Sequence, residues 1–168
     1  MSSMKTRMML ALWVALIVVI AAAQGRHEST GSSATPAAGG GVTRSVLAAA
    51  TPAAVPGQSL QLVRYVIRPG TTLPAHVHPG TQLASIESGE LTYTVVRGEI
   101  RVERAAANGT PESVETLTSG ETTVLRPGDA VVETEGNVHL GENLSGDPVV
   151  ILAATLLEAG QPSSIVVD

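Results

Sequence analysis

The sequence predicts an all-β protein built as a single sandwich or barrel, and three observations carry this prediction. From about Val46, short runs rich in Val, Thr and Ile alternate with turn residues such as Pro69-Gly70 and Pro127-Gly128. No segment in this region combines the length and the caps of a good helix. The sequence also shows no internal repeat, which indicates one barrel and not two.

Seven segments have the composition or the alternation of strands. They cover residues 60–68, 91–98, 99–105, 113–120, 121–128, 129–136 and 148–160. The Ala-rich stretch 45–57 is interrupted by Pro52 and Pro56, so we expect at most one short turn there.

The first 23 residues have the features of a secretory signal peptide. Lys5 and Arg7 precede an apolar run of 16 residues, 8–23, that ends in three alanines. This run is shorter than the roughly 20 residues of a stable membrane span. An uncleaved N-terminal anchor is the alternative, because hydropathy separates the two poorly. In both cases we expect the rest of the chain to lie outside the cytoplasm.

The remainder divides into a tether and a domain. Residues 24–45 are rich in Gly, Ser, Thr, Ala and Pro, which predicts a flexible linker, and His27 within it is interpreted as solvated. Residues 46–168 are predicted to form the barrel domain.

Composition excludes several classes of partner and site. The chain has no Cys, so disulfides and thiolate metal sites are excluded. After residue 23 it has eight Arg, no Lys and fifteen acidic residues, a formal charge of −7. This acidity argues against a nucleic-acid partner. Membrane contact is expected only through the N-terminal segment.

Three histidines fall in two short, turn-bounded segments. His76 and His78 are two residues apart and therefore share one face of a strand. His139 lies in "GNVHLGEN", at the start of another strand. Three imidazoles with an open position are a recurring metal site. From the pair alone, a metal site and a structural role both remain open.

The spacing around these histidines resembles the two motifs of the cupin superfamily. The first motif, G-x5-H-x-H-x(3,4)-E-x6-G, is matched except at its Glu. The second motif, G-x5-P-x-G-x2-H-x3-N, is matched except at its Pro. The residues at these positions are Gly70, His76, His78, Gln82, Gly89, Gly128, Thr134, Gly136, His139 and Asn143.

The resemblance covers about residues 58–158 and implies a small cupin-type jelly roll, a double-stranded β-barrel that holds a metal. Carried over by position, the ligands are His76, His78, Gln82 and His139. They imply one divalent ion, which Fe, Mn, Ni, Cu or Zn would satisfy. Asn143 is expected to be structural. The family commonly pairs through β-strands, so a homodimer is compatible with the resemblance.

Gln82 is the departure that matters most for chemistry. A neutral amide in place of Glu leaves a divalent ion with its full charge and favours an anionic ligand in the open position. Gln82 then either ligates the ion weakly or forms a hydrogen bond beside it.

Other polar residues receive weaker interpretations. Tyr93 is a candidate for lining the pocket, although a strand tyrosine is more often part of the core. Glu87 has the wrong parity to replace the missing acid, and Glu133 and Glu142 are interpreted as solvated. No general base can be named.

These observations predict an exported, metal-binding cupin-type protein with a small-molecule ligand or substrate. A dioxygenase-like or lyase-like enzyme acting on a small oxygenated compound is the first hypothesis. A non-enzymatic module that binds or senses a small molecule is the alternative. A germin-like oxidase is a third hypothesis, which the Gln82 substitution and the absence of Cys disfavour.

Overall fold

The computed structural model describes residues 40–168, which form twelve β-strands and no helix. The strands are β1 (Val42–Ala50), β2 (Gln58–Ile67), β3 (Thr72–Val77), β4 (Gly80–Ser88), β5 (Leu91–Arg97), β6 (Glu99–Ala105), β7 (Pro111–Thr118), β8 (Thr122–Leu125), β9 (Ala130–Glu133), β10 (Val138–Glu142), β11 (Val149–Glu158) and β12 (Ile165–Val166).

Eight of these strands pair like one long hairpin that has been rolled up. β2 pairs with β11, β3 with β10, β4 with β9 and β5 with β8, and every pair is antiparallel. They lie in two sheets, in the orders β2-β11-β4-β9 and β3-β10-β5-β8. This connectivity is that of a double-sheet jelly roll. The predicted all-β, double-stranded barrel is therefore confirmed.

The remaining strands extend the edges of the two sheets. β1 adds to the free edge of β2, and the β6–β7 hairpin continues the same sheet beyond β9, which gives seven strands. β12 adds to the free edge of β3 and completes a five-stranded sheet. The chain's last strand thus lies beside the strand that carries the histidine pair.

The core lies between the sheets because each strand alternates buried and outward residues. On β11, the fully buried residues Val149 and Ala153 face inward, and Ile151 and Leu157 share their face. This alternation fixes the register of the sheet, since a slip of one residue would turn the apolar face outward.

The N-terminal part of the domain differs from the sequence prediction. Residues 45–57 were expected to hold at most a short turn, but β1 begins at Val42 and reaches Ala50. It pairs with β2 along its length, with one irregularity after Val46. This pairing satisfies the backbone although alanine is a poor strand former. Pro52 follows the strand and lies in the turn before β2.

Residues 1–39 lie outside the described part of the chain, and so do the predicted signal peptide and most of the predicted linker. Residues 40–168 contain no helix long and apolar enough to cross a membrane.

Gly89 and Asn143, which belong to the two cupin-like motifs, stabilise turns of the barrel. Gly89 has a φ of 79°, and a Cβ there would lie 2.9 Å from the Cα of Val149. Asn143 is completely buried, and its Nδ2 donates to the carbonyls of Ile67 (2.9 Å) and Asp147 (2.8 Å). Its Oδ1 accepts from the amide of Ser145 (3.1 Å). The structural role expected of Asn143 follows from these bonds.

Replacing Asn143 with Ala is expected to lower the free energy of unfolding by about 2–4 kcal/mol. The substitution leaves the buried carbonyl of Ile67 and the partly buried carbonyl of Asp147 without their side-chain donor, and each such loss costs about 1–3 kcal/mol. Urea unfolding followed by circular dichroism measures the effect. Asn108→Ala, in an exposed turn, is the control and should change stability far less. Equal losses in the two variants would contradict the role given to Asn143.

Candidate metal centre

Strand pairing brings the three predicted histidines together inside the barrel. His76 on β3 lies directly opposite His139 on β10, and His78 follows His76 on the same face. All three are buried, and their ring centroids lie 4.3 to 5.2 Å apart. Their ligating nitrogens lie within 4.8 Å of one another. The pairing of β3 with β10 thus brings together histidines that lie far apart in the sequence.

Backbone carbonyls orient two of the imidazoles. Nδ1 of His76 lies 2.8 Å from the carbonyl of Pro74, and Nδ1 of His78 lies 2.6 Å from the carbonyl of Ser163. A carbonyl only accepts, so Nδ1 carries the proton in both rings. In both rings Nε2 is therefore the atom that is left to bind a metal, the arrangement in which ligating histidines are usually held.

Gln82 and Glu133 complete the cluster from the other sheet. They lie directly opposite each other on β4 and β9, and both side chains are buried. Nε2 of Gln82 donates to Oε2 of Glu133 at 2.7 Å and lies 3.3 Å from Nε2 of His78. Oε1 of Gln82 has no hydrogen-bond partner among the described residues. The interpretation of Glu133 as a solvated residue was wrong.

Glu133 contacts four side chains, which use both of its oxygens. Oε1 accepts from the hydroxyl of Tyr93 (2.9 Å) and lies 3.2 Å from Nε2 of His139. Oε2 accepts from Gln82 and lies 3.3 Å from Nε2 of His78. A buried carboxylate is costly unless it is paired and hydrogen-bonded, and these contacts supply both.

The electrostatics of the cluster follow from burial and from this one carboxylate. Burial lowers the pKa of His76 to about 4, and the neighbouring imidazoles add to the effect. Burial also holds the pKa of His139 below its usual value, although Glu133 opposes this. For His78 the attraction of Glu133 outweighs burial and raises the pKa. His76 and His139 are thus neutral at pH 7, the form in which imidazole binds metals.

The two other titratable groups of the site shift in opposite directions. Burial alone would raise the pKa of Glu133, but His139 and His78 outweigh it and hold that pKa far below its usual range. Burial and the charge of Glu133 raise the pKa of Tyr93 well above its usual value. Glu133 is therefore an anion and Tyr93 a hydrogen-bond donor at neutral pH.

Tyr93 is part of the site, as the sequence suggested. It lies on β5, is 3% exposed, and its ring stacks on that of His139 with centroids 5.2 Å apart. Its position across from Gly141 leaves room for this stacking, since glycine has no side chain there.

The cluster lines one part of a largely apolar cavity of about 140 Å³. Its apolar walls include Leu73, Ile86, Leu91, Leu125, Val131 and Ile151. Pro162 to Ser164, just before β12, also line it, so the C-terminal segment both forms a wall and holds His78 through the Ser163 carbonyl. A mainly apolar cavity with a few convergent polar groups is the usual form of a small-molecule site.

The donor set fits a divalent metal ion. Three imidazole nitrogens and one carboxylate are the ligand types that zinc, iron, copper and nickel sites use. Nitrogens that each bind a metal at a distance of about 2.1 Å lie about 3–4 Å from one another. The three histidines therefore need only small side-chain movements to bind one ion. The unpartnered Oε1 of Gln82 is a further donor atom with no other role among the described residues.

The other acidic candidates lie elsewhere. Glu87 is exposed and pairs with Arg64 at 2.8 Å, which agrees with its predicted parity. Glu142 lies near the surface, where the hydroxyl of Thr72 approaches it at 3.5 Å. The signal that could have identified Glu133 is its parity with the buried Val131, but Val132 between them is equally apolar and made the face ambiguous.

The sequence matches no protein-family model and no curated protein. Solved structures are similar in fold at low identity. One is a chain from the crystal structures of the DMSP lyases RdDddP and RnDddQII, with 17% identity and a TM-score of 0.46. KdgF from Halomonas sp. has 21% identity and a TM-score of 0.45. An oxalate decarboxylase from Bacillus subtilis has 18% identity and a TM-score of 0.42.

The coverage of these matches differs. The alignments cover 65%, 71% and 64% of this chain, and 44%, 83% and 23% of the three other chains in the same order. This chain thus spans less than half of the lyase chain and about a quarter of the decarboxylase chain. Similarity at this level says nothing about what this chain does, which has to be argued from its own residues.

Replacing Gln82 with Glu is expected to make the protein depend on metal for its stability. The new carboxylate would lie where an amide nitrogen now donates to Glu133, and two adjacent carboxylates repel unless a cation or a proton lies between them. The metal-free variant should lose about 1–3 kcal/mol, and added metal should raise its melting temperature more than that of the wild type.

Melting temperatures with and without a chelator measure this effect. Gln161→Glu, in an exposed turn, is the matched control and should leave both values nearly unchanged. If Gln82→Glu behaved like Gln161→Glu, the amide would not lie against Glu133.

Proposed function

We propose that this chain is a metal-binding protein of the cupin superfamily, in which His76, His78 and His139 hold one divalent ion and Glu133 lies beside it. The observation that carries the proposal is the convergence of three buried imidazoles and one buried carboxylate in one mainly apolar cavity. Gln82 assists, either through its free Oε1 or by fixing Glu133.

We further propose that the site acts on a small oxygenated compound in a lyase-like or dioxygenase-like reaction. When bound, the metal would supply Lewis-acid or redox chemistry. Glu133 supplies the negative charge of the site and is its one candidate for accepting a proton. Tyr93, which keeps its proton, donates a hydrogen bond to that carboxylate. The apolar walls exclude water, which strengthens each of these interactions.

A binding module is the second candidate, and one observation favours it. Both oxygens of Glu133 are already engaged by four side chains, and its pKa is held low. A carboxylate with these properties is a weak general base. In this reading the same cavity binds or stores a small ligand without converting it.

We also propose that the mature domain works outside the cytoplasm. The support is the basic and then apolar N-terminal sequence, residues 5–23. Its partner there would be a small molecule, and the acidic composition after residue 23 argues against a nucleic acid. Pairing of two barrels into a homodimer is compatible with this arrangement.

His76→Ala and His139→Ala are each expected to lower metal affinity at least tenfold, because each removes one of three nitrogen ligands. Metal analysis of dialysed protein, followed by titration with a competing chelator, measures the change. His27→Ala removes a histidine outside the predicted domain and should bind metal like the wild type. Unchanged metal content in both cluster variants would overturn the proposed metal centre.

Glu133→Gln separates the enzyme from the binding module. If the site is catalytic, oxygen uptake or product formation from a panel of enols, diketones and small hydroxy acids should fall about 100-fold or more. The exposed Glu87→Gln variant is the control for loss of a negative charge. Absence of turnover by the wild type across its Fe, Mn, Ni and Cu forms, together with ligand binding, would favour the module.

A further inference from the structure

The cavity is lined by one cationic side chain besides the histidines. Arg44 on β1 is half-buried and lines the cavity, where no other Arg or Lys of residues 40–168 is found. Its Nη2 donates to Oε1 of Gln61 at 2.6 Å, and its Nε lies 3.4 Å from the hydroxyl of Tyr65. The guanidinium also lies 6.0 Å from the centre of the Tyr65 ring. These contacts fix its orientation.

Arg44 has no carboxylate partner within residues 40–168, which is unusual for a half-buried arginine in an acidic chain. Four of the other arginines form ion pairs: Arg64 with Glu87, Arg101 with Glu103, Arg104 with Glu115 and Asp129, and Arg126 with Glu90. Both acceptors of Arg44 are neutral. Its charge is therefore uncompensated, and three of its five donor hydrogens remain unassigned.

Strand pairing connects Gln61, to which the guanidinium donates, with the candidate metal centre. Gln61, which holds it, belongs to a row of directly paired residues that crosses the sheet through Thr155 and Gln82 to Glu133. Gln61 and Gln82 are two strands apart, which is about 10 Å between their backbones. A molecule of a few carbon atoms can bridge that distance once hydrogen bonds at both ends are counted.

The same row contains two buried polar atoms without a partner. Oγ1 of Thr155 and Oε1 of Gln82 are both unpaired among the described residues, and their side chains are almost fully buried. Buried polar groups in native proteins are nearly always satisfied by protein, water or ligand. The next row inward includes Ala84 and Ala153, whose small side chains leave space beside it.

We propose that Arg44 binds the carboxylate of a small carboxylic acid in this cavity, and that a second oxygen-bearing group of that acid reaches the histidine cluster. The proposal deepens the proposed function and rests on it for the second contact only. Arginine suits the role because its planar fork matches a carboxylate with two parallel hydrogen bonds. The apolar walls between the two ends would contact the carbon chain of the ligand.

The test compares acids with their uncharged amides as probes. Propanoate, butanoate and 4-oxopentanoate, each beside its amide, are titrated by calorimetry into metal-loaded and metal-stripped protein. The wild type should bind at least one acid about tenfold or more tightly than its amide, as a charge-assisted bond would give. Arg44→Gln should abolish that preference. Arg44→Lys should keep part of it, since the charge remains but the fork is lost.

Controls keep the outcomes separate. Arg68→Gln removes the same charge from an exposed site and should retain the preference, and melting temperatures show whether each variant folds. Equal binding of acids and amides, binding of none of the acids, or a preference that survives Arg44→Gln would overturn the proposal. If Arg44→Gln fails to fold, a reduced preference in folded Arg44→Lys supports bidentate binding, and full retention of the preference contradicts it.

The failure of the proposed function would look different. Wild-type protein that takes up no metal, but still binds acids in an Arg44-dependent way, would refute the metal centre and leave the carboxylate site in place.

Discussion

The contact between the buried carboxylate of Glu133 and the imidazoles of His78 and His139 governs this site. An anion in the interior of a barrel is unstable unless positive charge and hydrogen-bond donors surround it. Gln82 and Tyr93 provide hydrogen-bond donors, and His78, whose pKa Glu133 raises, provides the positive charge. Removal of any one of these side chains leaves a buried charge or hydrogen-bonding group without its partner. The cluster is for this reason a single electrostatic unit.

A bound divalent ion would change which group balances the carboxylate. With metal at the nitrogens, Glu133 no longer needs a protonated imidazole, and His78 is free to act as a neutral ligand. The hydrogen bonds of Nδ1 to the carbonyls of Pro74 and Ser163 are compatible with both states, because they leave Nε2 to carry either a proton or a metal. These two carbonyls therefore keep the rings oriented in the presence or absence of an ion.

Sequence spacing could predict the fold and the histidines because both depend on local rules. Turn glycines set the strand ends, and parity places His76 and His78 on one face. The two predictions that were wrong, on residues 45–57 and on Glu133, concern contacts between strands that are distant in the sequence. β1 is a strand only because β2 offers its edge, and Glu133 is buried only because β9 lies against β4. Neither contact has a local signature.

The position of the acid is also a matter of strand pairing. In the motif that the sequence resembles, the acid stands where Gln82 is, whereas here the carboxylate stands directly across the strand pair, on Glu133. Gln82 provides an amide and Glu133 a carboxylate, and a 2.7 Å hydrogen bond joins the two groups. A motif that describes one strand does not include an acid on the neighbouring strand. The sequence therefore predicted a site without a negatively charged ligand.

Two oppositely charged side chains, Arg44 and Glu133, line the same cavity. Arg44 attracts an anion and Glu133 repels one, in a mainly apolar space where both effects are stronger than in water. A ligand with one carboxylate can satisfy both only in the orientation that points its charge at Arg44. A second carboxylate would lie near Glu133 and would need the metal between them. If Arg44 binds carboxylates as proposed, the cavity would favour monocarboxylates that carry a neutral oxygen away from Arg44, and binding of a dicarboxylate would depend on metal.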